Sequence, residues 1–380
     1  MKLIHISVDE KFIDGAIDIY NYMKGVDSVY FVLSPNGSIK RIKYPKVVVF
    51  KSENELIQKV NQETCDYVVL HSLCLTYKSI LRINHKLIWN SWGYDIYSDT
   101  QDTYDKVLSL SMYKPASRKV VEAIDGGSLK ENVIKAIRRV KHKLVEQRLY
   151  NAIMRKVSFV STVIPSEFDL IQKKYSHIGF CPFRYIDNLT ESEDVALVCD
   201  NDAGSAKRII LGNSNDPTNN HLDILEKLDS IGREYEVIVP FSYPNNSPQY
   251  VQEVLNRSGD FKNLKIRFLR DFMALEEYFK ILKSCQSAIF GHVRQQAVGN
   301  VSYMFNSGKN VFLYGDSILY TFYKKQGYKV YSIENELNAE CIENTLPLDE
   351  QKINNQKNRE RHDYFGLIAE LQRFYDGLQN

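Results

Sequence analysis

The sequence contains no apolar run approaching the roughly 20 residues that a membrane-spanning helix requires, so a transmembrane helix is not expected. Its first apolar segment, Met1 to Val8, is too short and too interrupted by polar residues to be a signal peptide, and reads as a buried strand. Six cysteines are scattered with no CxxC pair and no histidine at metal-ligand spacing, which argues against a zinc site and predicts reduced thiols in a cytoplasmic protein. Excess charge is also lacking. The formal net charge is only +2, so a genome-coating role and a nucleic-acid partner are not expected, and any basic face must be local. No internal repeat or low-complexity tract is visible.

What is present is enough apolar residue for two cores. With 380 residues, 44% of them hydrophobic, length favours two domains over one. Short apolar runs at Leu3 to Val8, Val29 to Leu33, Val47 to Phe50, Tyr67 to Leu70, Leu87 to Trp89 and Phe159 to Thr162 alternate with amphipathic segments. That alternation predicts βα units around a parallel sheet. After a polar, acid-rich stretch the pattern restarts, with runs at Ile209 to Leu211, Val237 to Val239, Leu264 to Phe268, Ala288 to Phe290, Val311 to Leu313 and Val330 to Ser332. The expected organisation is an α/β domain over 1–190, a linker over 191–207, a second α/β domain over 208–348 and a closing helix over 349–380. Two doubly wound domains of this kind place ligands beyond the carboxyl ends of their strands.

Three strand-to-helix turns of the second half suit a phosphorylated ligand. Gly212-Asn213-Ser214 follows a strand and offers close backbone approach, side-chain donors and amides; the same segment also reads as an ordinary capped turn, with Asp216 or Thr218 as the cap. Tyr243, between Pro240 and Pro244, is positioned to stack on a nucleotide base, or to pack as a turn aromatic. Arg294, Gln295 and Gln296, with Gly299 at a helix start, supply forked donors and a helix dipole for a diphosphate whose departing charge would be stabilised without a metal. A plain surface cap is the alternative.

In the first half, Trp89-Asn90-Ser91-Trp92-Gly93-Tyr94-Asp95-Ile96-Tyr97 gathers the two tryptophans of the chain around a glycine and a carboxylate, a composition suited to a sugar. Asp95 is the candidate base for an acceptor hydroxyl; a loop aspartate binding its own backbone is the competing reading. His71 and His5 follow or lie within strands and suit either a site or an interior. Between Lys130 and Lys156, nine basic residues face two acidic ones, a net of about +7 on an amphipathic pattern that includes Lys135, Arg138, Arg139 and Lys143. This stretch would rest on anionic lipid, or form a solvated helix face.

These residues, taken in order, resemble the bacterial TDP-4-acetamido-4,6-dideoxygalactose:lipid II transferases, which add the third sugar of enterobacterial common antigen. The similarity rests on His5, His71, Trp92-Gly93-x-Asp95-x-Tyr97, Pro182 with Arg184, Gly212-Asn213-Ser214 with Asp216, Asn219 and His221, Pro240 with Tyr243-Pro244, and Arg294-Gln295-Gln296 with Gly299. Pro217 and Asn220 depart from the basic and acidic residues such a pattern favours.

The resemblance implies a GT-B-like pair of Rossmann-like domains facing across a cleft. It further implies a dTDP- or UDP-sugar donor on the second domain and a lipid-diphosphate-linked glycan acceptor at the inner face of the bacterial membrane, approached by His71, Trp92, Gly93 and Tyr97. No cofactor or metal is expected. Two other readings stay open. Asp200-Asn201-Asp202 after a short apolar run has the look of a metal-dependent glycosyltransferase, with the carboxylates holding a divalent ion, and a non-catalytic nucleotide- or carbohydrate-binding protein would share the fold.

Overall fold

A computed structural model of the protein describes residues 1–97, 112–125, 145–186, 207–244 and 247–379. Its strands form two parallel sheets. The first holds β1 (Lys2–Val8), β2 (Asp27–Leu33), β3 (Val47–Phe50), β4 (Tyr67–His71), β5 (Leu87–Asn90), β6 (Val157–Ser161) and β7 (Gly179–Phe180), in the order β3-β2-β1-β4-β5-β6-β7. The second holds β8 (Arg208–Leu211), β9 (Tyr235–Pro240), β10 (Leu264–Leu269), β11 (Ser287–Phe290), β12 (Asn310–Leu313) and β13 (Tyr331–Ser332), in the order β10-β9-β8-β11-β12-β13. Short strands with continuous apolar runs, such as β4, β8 and β11, are what a sheet covered by helices on both faces demands, and all four β11 residues are buried.

The chain divides into two compact units, one around each sheet. The core of the first gathers Leu3, Ile17, Val69 and Ile88 with Leu367, Leu371 and Tyr375 of the helix Tyr364–Gln379. The core of the second gathers Leu211, Leu225, Val237, Ile289 and Phe312.

Two boundaries differ from those expected. The helix Pro115–Asp125, assigned from sequence to the first domain, packs on the second unit: the Asp223 carboxylate accepts from the Ala116 and Ser117 amides at 2.8 and 2.9 Å, and Ser117 Oγ meets the Tyr250 hydroxyl at 3.2 Å.

The expected single helix over 349–380 is two, Leu348–Arg361 and Tyr364–Gln379, and they belong to different units. The first of them docks through amides rather than hydrocarbon. Asn354 exchanges bonds with the Lys329 backbone at 2.7 and 2.9 Å, and Asn358 Nδ2 donates to Asn306 Oδ1 at 2.8 Å. Asp363 separates the pair and accepts from the Gly366 amide at 2.9 Å, an N-terminal capping arrangement.

Candidate functional site

In the second sheet the chain order reverses between the neighbours β8 and β11, so the crevice beyond their carboxyl ends is a topological switch point, the general ligand position in open α/β sheets. The Gly212 and Arg294 segments leave these two strands side by side. The Gly212 amide donates to the Ile289 carbonyl at 2.8 Å, and Gly212 has φ +68°. A methyl group there would lie 2.8 Å from Asn219 Oδ1, and one at Gly291 would collide with the Asn219 carbonyl. Both glycines are therefore required for the turns to approach one another.

The Gly212 turn commits its polar groups internally. Asn213 N donates to Asn219 Oδ1 at 3.2 Å, Asn215 N to the Tyr243 carbonyl at 2.7 Å, and Asn219 Nδ2 to Ser214 Oγ at 3.1 Å. Gln296 stitches the second turn to the first, with Nε2 donating to Asn213 Oδ1 at 2.8 Å and Oε1 accepting from Thr218 Oγ1 at 3.0 Å. The amides of Gly212, Asn213 and Asn215 are thus bonded within the protein, and Gly212, Asn213, Ser214 and Gln296 form a connected floor to the crevice.

Free donors lie on the other turn. Ala297, at φ +58°, opens the helix Val298–Asn306 with no side-chain cap, so the first-turn amides, Gly299 among them, have no acceptor within the helix. Arg294 precedes them, and its Nη1 donates to the Gln295 carbonyl at 3.2 Å. Among the described residues it makes no ion pair. A guanidinium beside the positive end of a helix is a ready anion site. Gln295 is buried, and Tyr243, at the carboxyl end of β9, is 53% exposed.

Asn220 ties this crevice to the preceding half of the chain. Its φ is +53°, and its Nδ2 donates to the Gly291 carbonyl at 2.6 Å and the Met112 carbonyl at 3.2 Å while its Oδ1 accepts from the Lys114 amide at 2.7 Å. Lys114 Nζ reaches Asp316 at 2.7 Å and lies 4.2 Å from the Tyr314 ring centroid. Sequence reasoning assigned no role to Lys114 or Asp223, since their partners stand more than a hundred residues away.

In the first sheet the reversal falls between β1 and β4. The loop after β5 is organised by Asp95, which is 3% exposed. Its Oδ2 accepts from Trp89 Nε1 at 2.8 Å and Leu73 N at 3.1 Å, and Oδ1 accepts from Trp92 N at 2.9 Å. Burial raises its pKa to about 6 against the opposing pull of these donors. Asp95 is therefore a frame for the loop. Gly93, at φ +88°, permits the turn whose carbonyl accepts from the Ile96 amide at 2.8 Å.

Of the residues expected to meet an acceptor, His71 and Tyr97 are buried, which places them behind the surface. Trp92 is partly exposed; its ring lies 6.0 Å from Phe12, 6.4 Å from Tyr94 and 6.2 Å from Tyr185. His71 Nδ1 is 2.6 Å from the Tyr185 hydroxyl, and its Nε2 is 3.1 Å from Nδ1 of His5. Tyr185 belongs to this constellation although no sequence signal marked it.

The basic residues Lys135, Arg138, Arg139 and Lys143, and the pair Asp200 and Asp202, lie outside the described residues. Among the described residues no group of three His, Cys, Asp or Glu is placed to hold a metal, and no helix is long and apolar enough to cross a membrane.

The family model of 4-alpha-L-fucosyltransferases, glycosyl transferase group 56, matches residues 172–359, a span that holds all of the second-half turns. This bears out the resemblance drawn from the sequence. Solved structures match the whole chain. Anabaena HepE in complex with UDP has TM-score 0.58 at 12% identity, covering 100% of both chains. The trehalose-6-phosphate phosphatase N-terminal domain of Candida albicans has TM-score 0.64 at 8% identity, covering 100% of this chain and 96% of that one. The UDP-forming α,α-trehalose-phosphate synthase of Burkholderia vietnamiensis has TM-score 0.59 at 10% identity, covering 99% of each. The shared fold is GT-B.

Proposed function

We propose that this chain, a glycosyltransferase of GT-B fold, moves a hexose from a nucleotide-diphosphate donor held by its second unit to a hydroxyl of a lipid-diphosphate-linked glycan, without a metal. The observation that carries this reading is the uncapped helix Val298–Asn306 with Arg294 beside it, at the switch point of the second sheet. Arg294 and the first-turn amides bind the diphosphate in the donor and stabilise it further as the glycosidic bond to phosphate breaks and charge accumulates on the leaving oxygen. Tyr243 supplies an exposed ring for the base. That the similar fold of Anabaena HepE holds UDP supports a uridine or thymidine diphosphate in the corresponding role here.

On the acceptor side, Trp92 offers an aromatic face for a sugar, and Asp95 fixes the loop that presents it. The resemblance to the TDP-4-acetamido-4,6-dideoxygalactose transferases supports a 4-acetamido-4,6-dideoxy hexose as the moiety moved and a polyprenyl-diphosphate glycan as its acceptor. The basic stretch between Lys130 and Lys156 supports a peripheral position on the inner membrane face.

Thermal unfolding in the presence of UDP, dTDP and their hexose conjugates tests this. A ligand bound only by the folded state raises the unfolding temperature, by an amount that reports affinity. One nucleotide class should protect the wild type and lose its effect in Arg294→Ala. No protection by any of them would contradict the proposal.

A further inference from the structure

Three neighbouring strands of the first unit carry a row of hydrogen-bonding groups that the proposal above does not use. Ser28 lies on β2, His5 on β1 and His71 at the end of β4, and β1 pairs with both of the others. Ser28 Oγ is 3.3 Å from His5 Nε2, His5 Nδ1 is 3.1 Å from His71 Nε2, and His71 Nδ1 is 2.6 Å from the Tyr185 hydroxyl. Four side chains are thus linked in series. Ser28 and Tyr185 at the two ends are partly exposed, and the two imidazoles between them are buried. The His5 ring is enclosed by Tyr20 and Tyr30, at 4.3 and 4.8 Å between centroids, and the His71 ring by Phe183 at 6.1 Å.

Burial keeps both histidines neutral, lowering His71 to about 3 and His5 well below its ordinary value. Two neutral imidazoles share one proton across their common bond, so the row has two self-consistent arrangements. In one, Tyr185 donates to His71, His71 donates from Nε2 to His5, and His5 donates from Nε2 to Ser28. In the other every donor and acceptor is reversed. Passing between them moves one proton from Tyr185 to Ser28 without creating an imidazolium.

We infer that this row is a proton relay, with Tyr185 taking the proton of the acceptor hydroxyl during glycosyl transfer; the inference rests on the glycosyltransferase reading. As the acceptor oxygen bonds to the anomeric carbon, its O–H bond breaks and the proton passes to the Tyr185 oxygen. The Tyr185 proton moves to His71 Nδ1, the His71 Nε2 proton to His5 Nδ1, the His5 Nε2 proton to Ser28 Oγ, and the Ser28 hydroxyl proton to water. The bond from the anomeric carbon to the diphosphate oxygen breaks, and its electron pair leaves with the nucleotide diphosphate.

Tyr185 is placed to touch the acceptor because it is partly exposed beside the partly exposed Trp92, its ring tilted against Phe12 and edge-on to Trp92, whose side chain also acts on the Tyr185 phenol and opposes the rise in its pKa. The phenol itself is held well above its ordinary pKa by burial, so it passes a proton on in concert and does not accumulate as phenolate. His71, His5 and Ser28 are positioning residues that act through it.

Two measurements on the full chain test the relay. The first is nucleotide release with UDP- and dTDP-hexoses and a polyprenyl-diphosphate-linked disaccharide, for wild type, Tyr185→Phe and Ser28→Ala. Tyr185→Phe should lower kcat by about 100-fold or more while the donor KM is kept, in line with the usual contribution of a positioned proton-transfer group. Ser28→Ala should lower kcat less, and should change the solvent isotope effect. Wild-type release that both variants retain in full overturns the relay and leaves glycosyl transfer standing; no release by the wild type overturns both.

The second is the 15N shifts of His5 and His71, which need no activity and read their tautomers directly. The relay requires both rings neutral from about pH 5.5 to 8.5, an interval set around the ordinary histidine value, and both in the same tautomer. Opposed tautomers, or a ring that charges in that range, contradict it.

Discussion

Asn220 donates to the Gly291 carbonyl at 2.6 Å, joining the turn after β8 to the turn after β11 through one side chain. The same amide group accepts from Lys114 N at 2.7 Å, so the segment leading into the helix Pro115–Asp125 is fixed to the crevice as well. A sequence departure from the expected pattern thereby becomes a structural centre. An acidic side chain at this position could not donate to the Gly291 and Met112 carbonyls.

Asn220→Ala should destabilise the second unit by about 2 to 4 kcal/mol, because it strands several buried bonding groups and puts a β-carbon-bearing residue with no local hydrogen bond in the left-handed region. Asn220→Gly should relieve only the backbone part. Chemical denaturation of the three proteins checks this, and equal stability of Asn220→Ala and wild type would contradict it.

Arg294→Ala should weaken binding of the favoured nucleoside diphosphate by about 10- to 100-fold, the usual range for losing a charge-assisted contact. Its one side-chain hydrogen bond among the described residues is to the Gln295 carbonyl and its charge disfavours protonation of the neighbouring His292, so stability should be little changed. Calorimetric titration gives the affinity and thermal unfolding gives the stability. An unaltered affinity would remove Arg294 from the donor site.

Asp95 and the buried histidines predict opposing dependences on pH. The Asp95 carboxyl is raised from 3.8 to about 6 in the fold, so the native state holds a proton that the unfolded chain has released; this contribution lowers stability as pH rises through about 4 to 6. His71, His221 and His292 are lowered to about 3, 4 and 3, and His5 is lowered well below 6.5. For them the unfolded chain binds protons first, so stability is lost as pH falls below about 6.5. The difference between wild type and Asp95→Asn should slope with pH between about 4 and 6. Parallel curves would contradict the raised carboxyl.

Asp95→Asn should also cost about 1 to 3 kcal/mol at pH 4, where the native carboxyl is neutral and no charge is lost, because its amide nitrogen cannot accept from the N–H groups that donate to the two carboxyl oxygens. Chemical denaturation at that pH gives the value. Unchanged stability there would mean that the loop does not depend on this carboxyl.

How much of this was readable from residue order differs between the sheets and the site. The apolar runs Val29 to Leu33, Ile209 to Leu211 and Ala288 to Phe290 fall on β2, β8 and β11, because buried parallel strands leave short continuous hydrophobic signals. The turns at Gly212 and Arg294 were legible for the same reason, since each follows such a strand. The break between Arg361 and Tyr364 was not, since Leu348–Arg361 docks through Asn354 and Asn358, and amide pairing has no periodicity. Tyr185 escaped notice because its partner His71 is 114 residues away and meets it only after β4 and the segment following β7 are brought together.

The central claim is the location of the donor's diphosphate. A crystal structure of the full chain with UDP or dTDP, whichever raises the unfolding temperature more, tests it directly. The account predicts phosphate oxygens within hydrogen-bonding distance of the Arg294 guanidinium and the Gly299 amide; a diphosphate bound away from the helix Val298–Asn306 would contradict it.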